Sequence, residues 1–155
     1  MGLIMSAVIS FGRVLFAVLF IVSGASKLFD LSGTAQEIAA RITVPADLAG
    51  YAADIEAMTS MSIAQLLAIA AGAIEFVSGV LLAFNIGVRF FSFVLIVFVA
   101  AATFYFHDFW NQTGPDARNN MMQALKNLSV IGALLMLAGH GRAEVEVKPR
   151  TYSDL

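Results

Sequence analysis

Arg13, Lys27, Glu75, Arg89, His107, Lys126 and Asn127 stand inside or at the borders of long apolar stretches. An ionised side chain at the centre of a membrane-spanning helix costs at least ~2.5–3.5 kcal/mol, so each such residue needs a partner or a function. Glu75 with a cation could form a buried pair, which either fixes helix register or carries a proton. Lys27, His107 and Lys126, arriving from three different stretches, could hold an anion, a lipid headgroup or a quinone carbonyl. Asn127 stands beside Lys126, and Asp108 and Trp110 stand near His107. The plainer readings are snorkelling lysines and an aromatic belt of Tyr105, Phe109 and Trp110 at the interface.

Helical spacing sorts these residues onto faces. Arg13, Ala17, Phe20, Gly24 and Lys27 share one face, and Ala68, Gly72, Glu75 and Gly79 share another. Small residues on such faces let helices approach closely, and the charges among them should point into the protein. Lys126, Val130, Ala133 and Leu137 line up in the same way. Arg89 and His107 are five turns apart on one face, about 27 Å along the helix axis. Depth counted from the ends of the apolar stretches brings Arg13 and Glu75 within about 3 Å of one level. The expectation is an inner ion-pair layer of Arg13, Glu75 and Arg89 and an outer basic layer of Lys27, His107 and Lys126.

Several chemistries are disfavoured. The chain has no cysteine, which removes thiol nucleophiles, disulfide exchange and cysteine-ligated zinc or Fe–S sites. His107 and His140 fall on opposite sides of the expected bilayer, so no shared metal or bis-histidine haem is expected. Neither a phosphate loop nor a dinucleotide glycine fingerprint is present, and no Ser–His–Asp signature is seen. A net charge of −2 without a basic stripe gives no reason to expect nucleic-acid binding.

The elements that must position these residues follow from composition. Of 155 residues 59% are hydrophobic and only 13% charged. Ordinary soluble domains are roughly 45–50% apolar and about 25% charged, so the sequence has too little polar surface to coat a globule. Four stretches, about 6–29, 62–84, 88–106 and 121–138, each approach the ~20 residues that cross a bilayer. Ser23-Gly24-Ala25 loosely resembles a signal-peptide cleavage site, but Met1–Gly12 is itself apolar and offers no basic leader, so the first stretch reads as a span. The fold class predicted is all-α: an up-and-down bundle of four transmembrane helices forming a single membrane domain over 1–155.

Asn85-Ile-Gly87 reads as a tight turn between the second and third spans. In the acidic 30–61 loop, Thr34-Ala-Gln-Glu37 has a capping-box pattern that opens a short helix to about Arg41. Pro45 begins a second, mildly amphipathic helix with Leu48, Ala52 and Ile55 on one side, suited to the membrane surface or to capping the bundle. Ser62-Ile-Ala-Gln65 caps the second span. Gly139-His-Gly141 ends the fourth, leaving a cytoplasmic tail, 139–155. Arg142, Lys148 and Arg150 give the side holding both termini a slight basic excess, which places the termini in the cytoplasm and the 30–61 loop outside it.

Gly12-Arg13, Leu15-Phe16 and Phe20-Ile-Val-Ser23-Gly24-Ala-Ser-Lys27-Leu28 resemble the start of the DoxX family of bacterial membrane proteins. The resemblance continues through Glu75, Arg89, Phe106-His107-Asp108-Phe109-Trp110 and Lys126-Asn127, over roughly residues 10–140. It implies a four-helix inner-membrane protein related to membrane subunits of thiosulfate–quinone oxidoreductases. Carried over, Lys27, His107 and Lys126 become the candidate quinone or anion site, supported by Arg13, Glu75 and Arg89; Asn127 and Trp110, which the depth count sets in the same outer layer, join the binding candidates. The leading expectation is an accessory membrane subunit that binds a partner protein or a quinone-type lipid. The alternative is a quinone-linked oxidoreductase component acting on a sulfur oxyanion, and a small transporter or proton path through Glu75 ranks third. Fold alone does not decide among them.

Overall fold

The computed structural model describes residues 2–140, with side chains from 5 to 139. Six α-helices follow one another: α1 Gly2–Phe29, α2 Leu31–Arg41, α3 Ala49–Thr59, α4 Ile63–Ala83, α5 Val88–Phe106 and α6 Gly114–His140. Short 3₁₀ turns at Ala46–Leu48 and Phe109–Asn111 join α2 to α3 and α5 to α6. No strand occurs among the described residues. Four helices, α1, α4, α5 and α6, are long and apolar enough to cross a membrane. Their outer faces carry exposed leucines, valines and phenylalanines, the inverse of a water-facing surface and the surface that lipid covers.

α1 lies along α4, α4 touches α5, and α5 lies along α6, while α2 folds back onto α4. A dry cluster of Ala17 and Phe20 from α1, Leu82 from α4, Leu95 and Val99 from α5 and Leu134 from α6 ties the four long helices together. A second cluster joins Ala35 and Ile38 of α2 to Ala68 of α4. α2 therefore buries its apolar side against α4. α3 buries no residue and stands largely free.

Glycine sets the register between α1 and α4. A methyl group at Gly24 would come within 2.6 Å of the Gly72 carbonyl oxygen and 2.5 Å of the Phe76 nitrogen, and one at Gly79 would meet Phe20 and Ile21 at 3.0 Å. Position rises along α1 as it falls along α4, so the two helices run antiparallel. Arg13 lies seven residues before Phe20, which places it level with the turn after α4 and well past Glu75. The expected depth match of Arg13 with Glu75 is thus corrected. Depth counting assumed helix ends at equal height, whereas close backbone contact at the glycines offsets α1 by about three turns.

Other boundaries also shift. Asp30, with its side chain accepting from the Gly33 N–H, caps α2 in place of Thr34, whose hydroxyl instead faces the Lys27 carbonyl oxygen at 3.5 Å. α1 and α6 begin earlier than their apolar cores, at Gly2 and Gly114. Asn85 and Gly87, both in left-handed conformation, make the α4–α5 turn. The expected tail beyond residue 140 lies outside the described residues. The Ser62–Gln65 capping box forms with both of its hydrogen bonds. Ser62→Ala should therefore cost about 1 kcal/mol, read as a lowered unfolding midpoint in mixed micelles.

Candidate functional site

Glu75 is the centre of the polar arrangement inside the bundle. Its side chain is only 7% exposed, and Lys27 reaches it with Nζ 2.6 Å from Oε2. Ser23 donates to Oε1 at 3.0 Å, and Lys27 donates to the Ser23 hydroxyl at 2.7 Å. Ser23 and Lys27 stand one turn apart on α1, so one helix face supplies a hydroxyl and an ammonium to the two carboxylate oxygens. The Lys27 contact to Oε2 lies off the hydrogen-bonding direction, so that oxygen is held by charge alone. Buried charge balances here within one helix pair, and Lys27 moves from the expected outer layer to the role expected of Arg13. Arg13 keeps a buried Nε without an acceptor among the described residues, and Arg89 is exposed. The predicted Arg13–Glu75–Arg89 layer does not form.

Beside this pair lies a cavity of about 570 Å³. Its wall is mainly apolar, with Leu67 and Ile74 of α4 and Phe98 and Ala102 of α5 among the lining residues, and Ile38 of α2 closes one side. The polar exceptions include Ser23, Lys27, Glu75, His107 and Asn127. Three of the five expected binding residues, Lys27, His107 and Asn127, are thus brought to one chamber. Lys126 is exposed and Trp110 packs against Phe104 and edge-on to Phe109, and neither lines it. For Lys126 the reason is rotation, since Asn127 one residue on takes the inward face and donates to Thr103 Oγ1 at 2.9 Å.

A second polar network holds the α5 end of the chamber. His107 Nδ1 lies 3.2 Å from Asn120 Oδ1, Asn120 donates to Gln112 Oε1 at 2.6 Å, and Gln112 donates to Asp108 Oδ1 at 2.7 Å. Arg41 of α2 reaches both Asp108, at 3.5 Å, and the Phe106 carbonyl oxygen, at 3.3 Å. Ser23, Asn120, Gln112 and Arg41 were not singled out as site residues from sequence. For Ser23 the signal was present, because it sits four residues before Lys27 on the same face. For Asn120 and Gln112 none was, because their meeting depends on the 3₁₀ turn between α5 and α6.

Four apolar helices of crossing length around a charge-paired interior define a multi-pass integral membrane protein of the all-α class. The DoxX family model matches residues 8–108. The chain belongs to the DoxX family. No curated protein and no solved structure matches it.

Proposed function

We propose that this DoxX-family protein is an up-and-down four-helix subunit of the bacterial inner membrane that holds a quinone-class lipid in the chamber between its helices. The observation that carries this reading is the chamber itself: about 570 Å³, walled mainly by apolar side chains, with Lys27, Glu37, Glu75 and His107 among the polar groups of its lining. Sites for small hydrophobic ligands have this size and this ratio of grease to fixed polar contacts. A quinone needs an apolar channel for its tail and a polar corner for its ring oxygens. With no cysteine in the sequence, the chain has no thiol or cysteine-ligated cluster. That fits an accessory role beside a partner subunit that carries electrons. In the orientation given by the basic residues after Gly141, both termini are cytoplasmic and α2 and α3 lie on the outer side.

The test is extraction of lipids from protein purified in nanodiscs, beside the chamber-filling variant Ala102→Phe. Quinone should be enriched in the wild-type particles relative to the surrounding lipid and fall to the surrounding level in the variant. The variant's helix content, followed by circular dichroism, should stay unchanged. Equal quinone in both preparations would remove the chamber as its site.

A further inference from the structure

His107 ends a hydrogen-bonded chain whose direction is set at its far end. Asp108 pairs with Arg41 as a carboxylate, and a carboxylate has no proton to give, so Gln112 must turn its NH₂ toward Oδ1. Gln112 then presents its carbonyl oxygen to Asn120, which must answer with its own NH₂. Asn120 is left with its carbonyl oxygen facing His107 Nδ1. An oxygen without hydrogen at 3.2 Å from that nitrogen requires the proton to sit on Nδ1. In the neutral ring Nε2 is then an acceptor. His107 lines the chamber, as do the carboxylate of Glu37 and Lys27, whose charge Glu75 balances.

We propose that His107, oriented by the chain Asp108–Gln112–Asn120, selects for a ligand with a hydroxyl headgroup, a quinol or phenol, over the corresponding carbonyl form. A hydroxyl donates to the Nε2 lone pair, whereas a quinone oxygen placed there meets lone pair against lone pair. The inference rests on the ligand reading above and adds the redox form that the resting site prefers. Asn120 is a positioning residue, since it acts through the imidazole.

The experiment titrates a short-chain benzoquinol, kept reduced under anaerobic conditions, and its benzoquinone into quinone-depleted protein in nanodiscs by calorimetry. The same samples, carrying His140→Gln so that one histidine remains, report the ring tautomer by ¹⁵N NMR at a pH high enough for neutral imidazole. The expected result is about a tenfold preference for the quinol, the size of one hydrogen bond gained, with the proton on Nδ1. Asn120→Leu should abolish the preference and release the proton to Nε2. Asn120→Asp, which keeps an acceptor opposite Nδ1, should retain both, and it is the variant that reads the relay if Asn120→Leu fails to fold. A proton on Nε2 in the parent protein, or equal affinity for the two forms, overturns the inference and leaves the ligand reading standing. Binding of neither compound overturns both.

Discussion

Lys27→Met is expected to cost ~3–5 kcal/mol of folding free energy, the usual cost of removing one partner of a buried ion pair. Glu75 has almost no access to solvent, and without the ammonium its carboxylate keeps only the Ser23 hydroxyl. The opposite deletion should be milder. Lys27 is 30% exposed and sits near the end of α1, so in Glu75→Gln it can swing its charge outward along its own aliphatic stem. That variant should lose about 1.5–2 kcal/mol, the lower part of the range for one hydrogen bond to a charged group. The double variant Lys27→Met with Glu75→Leu should recover most of the loss, because no buried charge then remains to be compensated. SDS titrations of all three in mixed micelles, followed by the fluorescence of the single Trp110, give the comparison directly. If Lys27→Met is no worse than Glu75→Gln, or the double variant no better than Lys27→Met, the pair does not hold the bundle in the way its geometry implies.

That asymmetry separates architecture from ligand chemistry in the chamber wall. Lys27 serves the carboxylate first, so a loss of ligand in a Lys27 variant is ambiguous between a lost contact and a loosened bundle. His107 is different. Its network closes within the α5–α6 connection and reaches α2 only through Arg41, so it can be altered while the α1–α4 seam is left intact.

How the sequence and the structure relate is clearest at these same residues. The four long helices were legible because apolar length is a local property, and so were the Ser62–Gln65 cap and the Asn85–Gly87 turn, each written within four residues. The faces were legible too, since the helical period alone puts Phe20, Gly24 and Lys27 on one side of α1. The pairing was not. It depends on how far one helix slides along another, and a slide of about three turns takes Arg13 away from Glu75 and brings in Lys27, four turns further along the same face. Lys126 and Asn127 differ by one step of rotation, so a choice between them needs the packing of α6 on α5. Asp30 displaced Thr34 as the cap of α2 because α2 starts directly after α1, with a single residue between them.

The register itself makes the second large prediction. Gly24→Ala should destabilise the protein by about 3 kcal/mol, the upper end of the ordinary range for overpacking. The added methyl would meet backbone atoms of α4, the Phe76 nitrogen and the Gly72 carbonyl oxygen, neither of which can turn aside as a side chain can. Relief requires the two helices to part, and parting them lengthens the Ser23 and Lys27 contacts to Glu75. Gly12→Ala on the same helix is the matched control. A methyl there has nothing within 4 Å, and the gain in helix propensity makes the change neutral or slightly stabilising. Gly72→Ala should fall between the two, because its new methyl meets chiefly the Leu28 side chain, which can change rotamer. The order Gly24, Gly72, Gly12 in unfolding midpoints is therefore the expected outcome. A Gly24→Ala protein as stable as Gly12→Ala would mean that α1 and α4 are not held at this separation, and the pairing of Lys27 with Glu75 would lose its geometric cause.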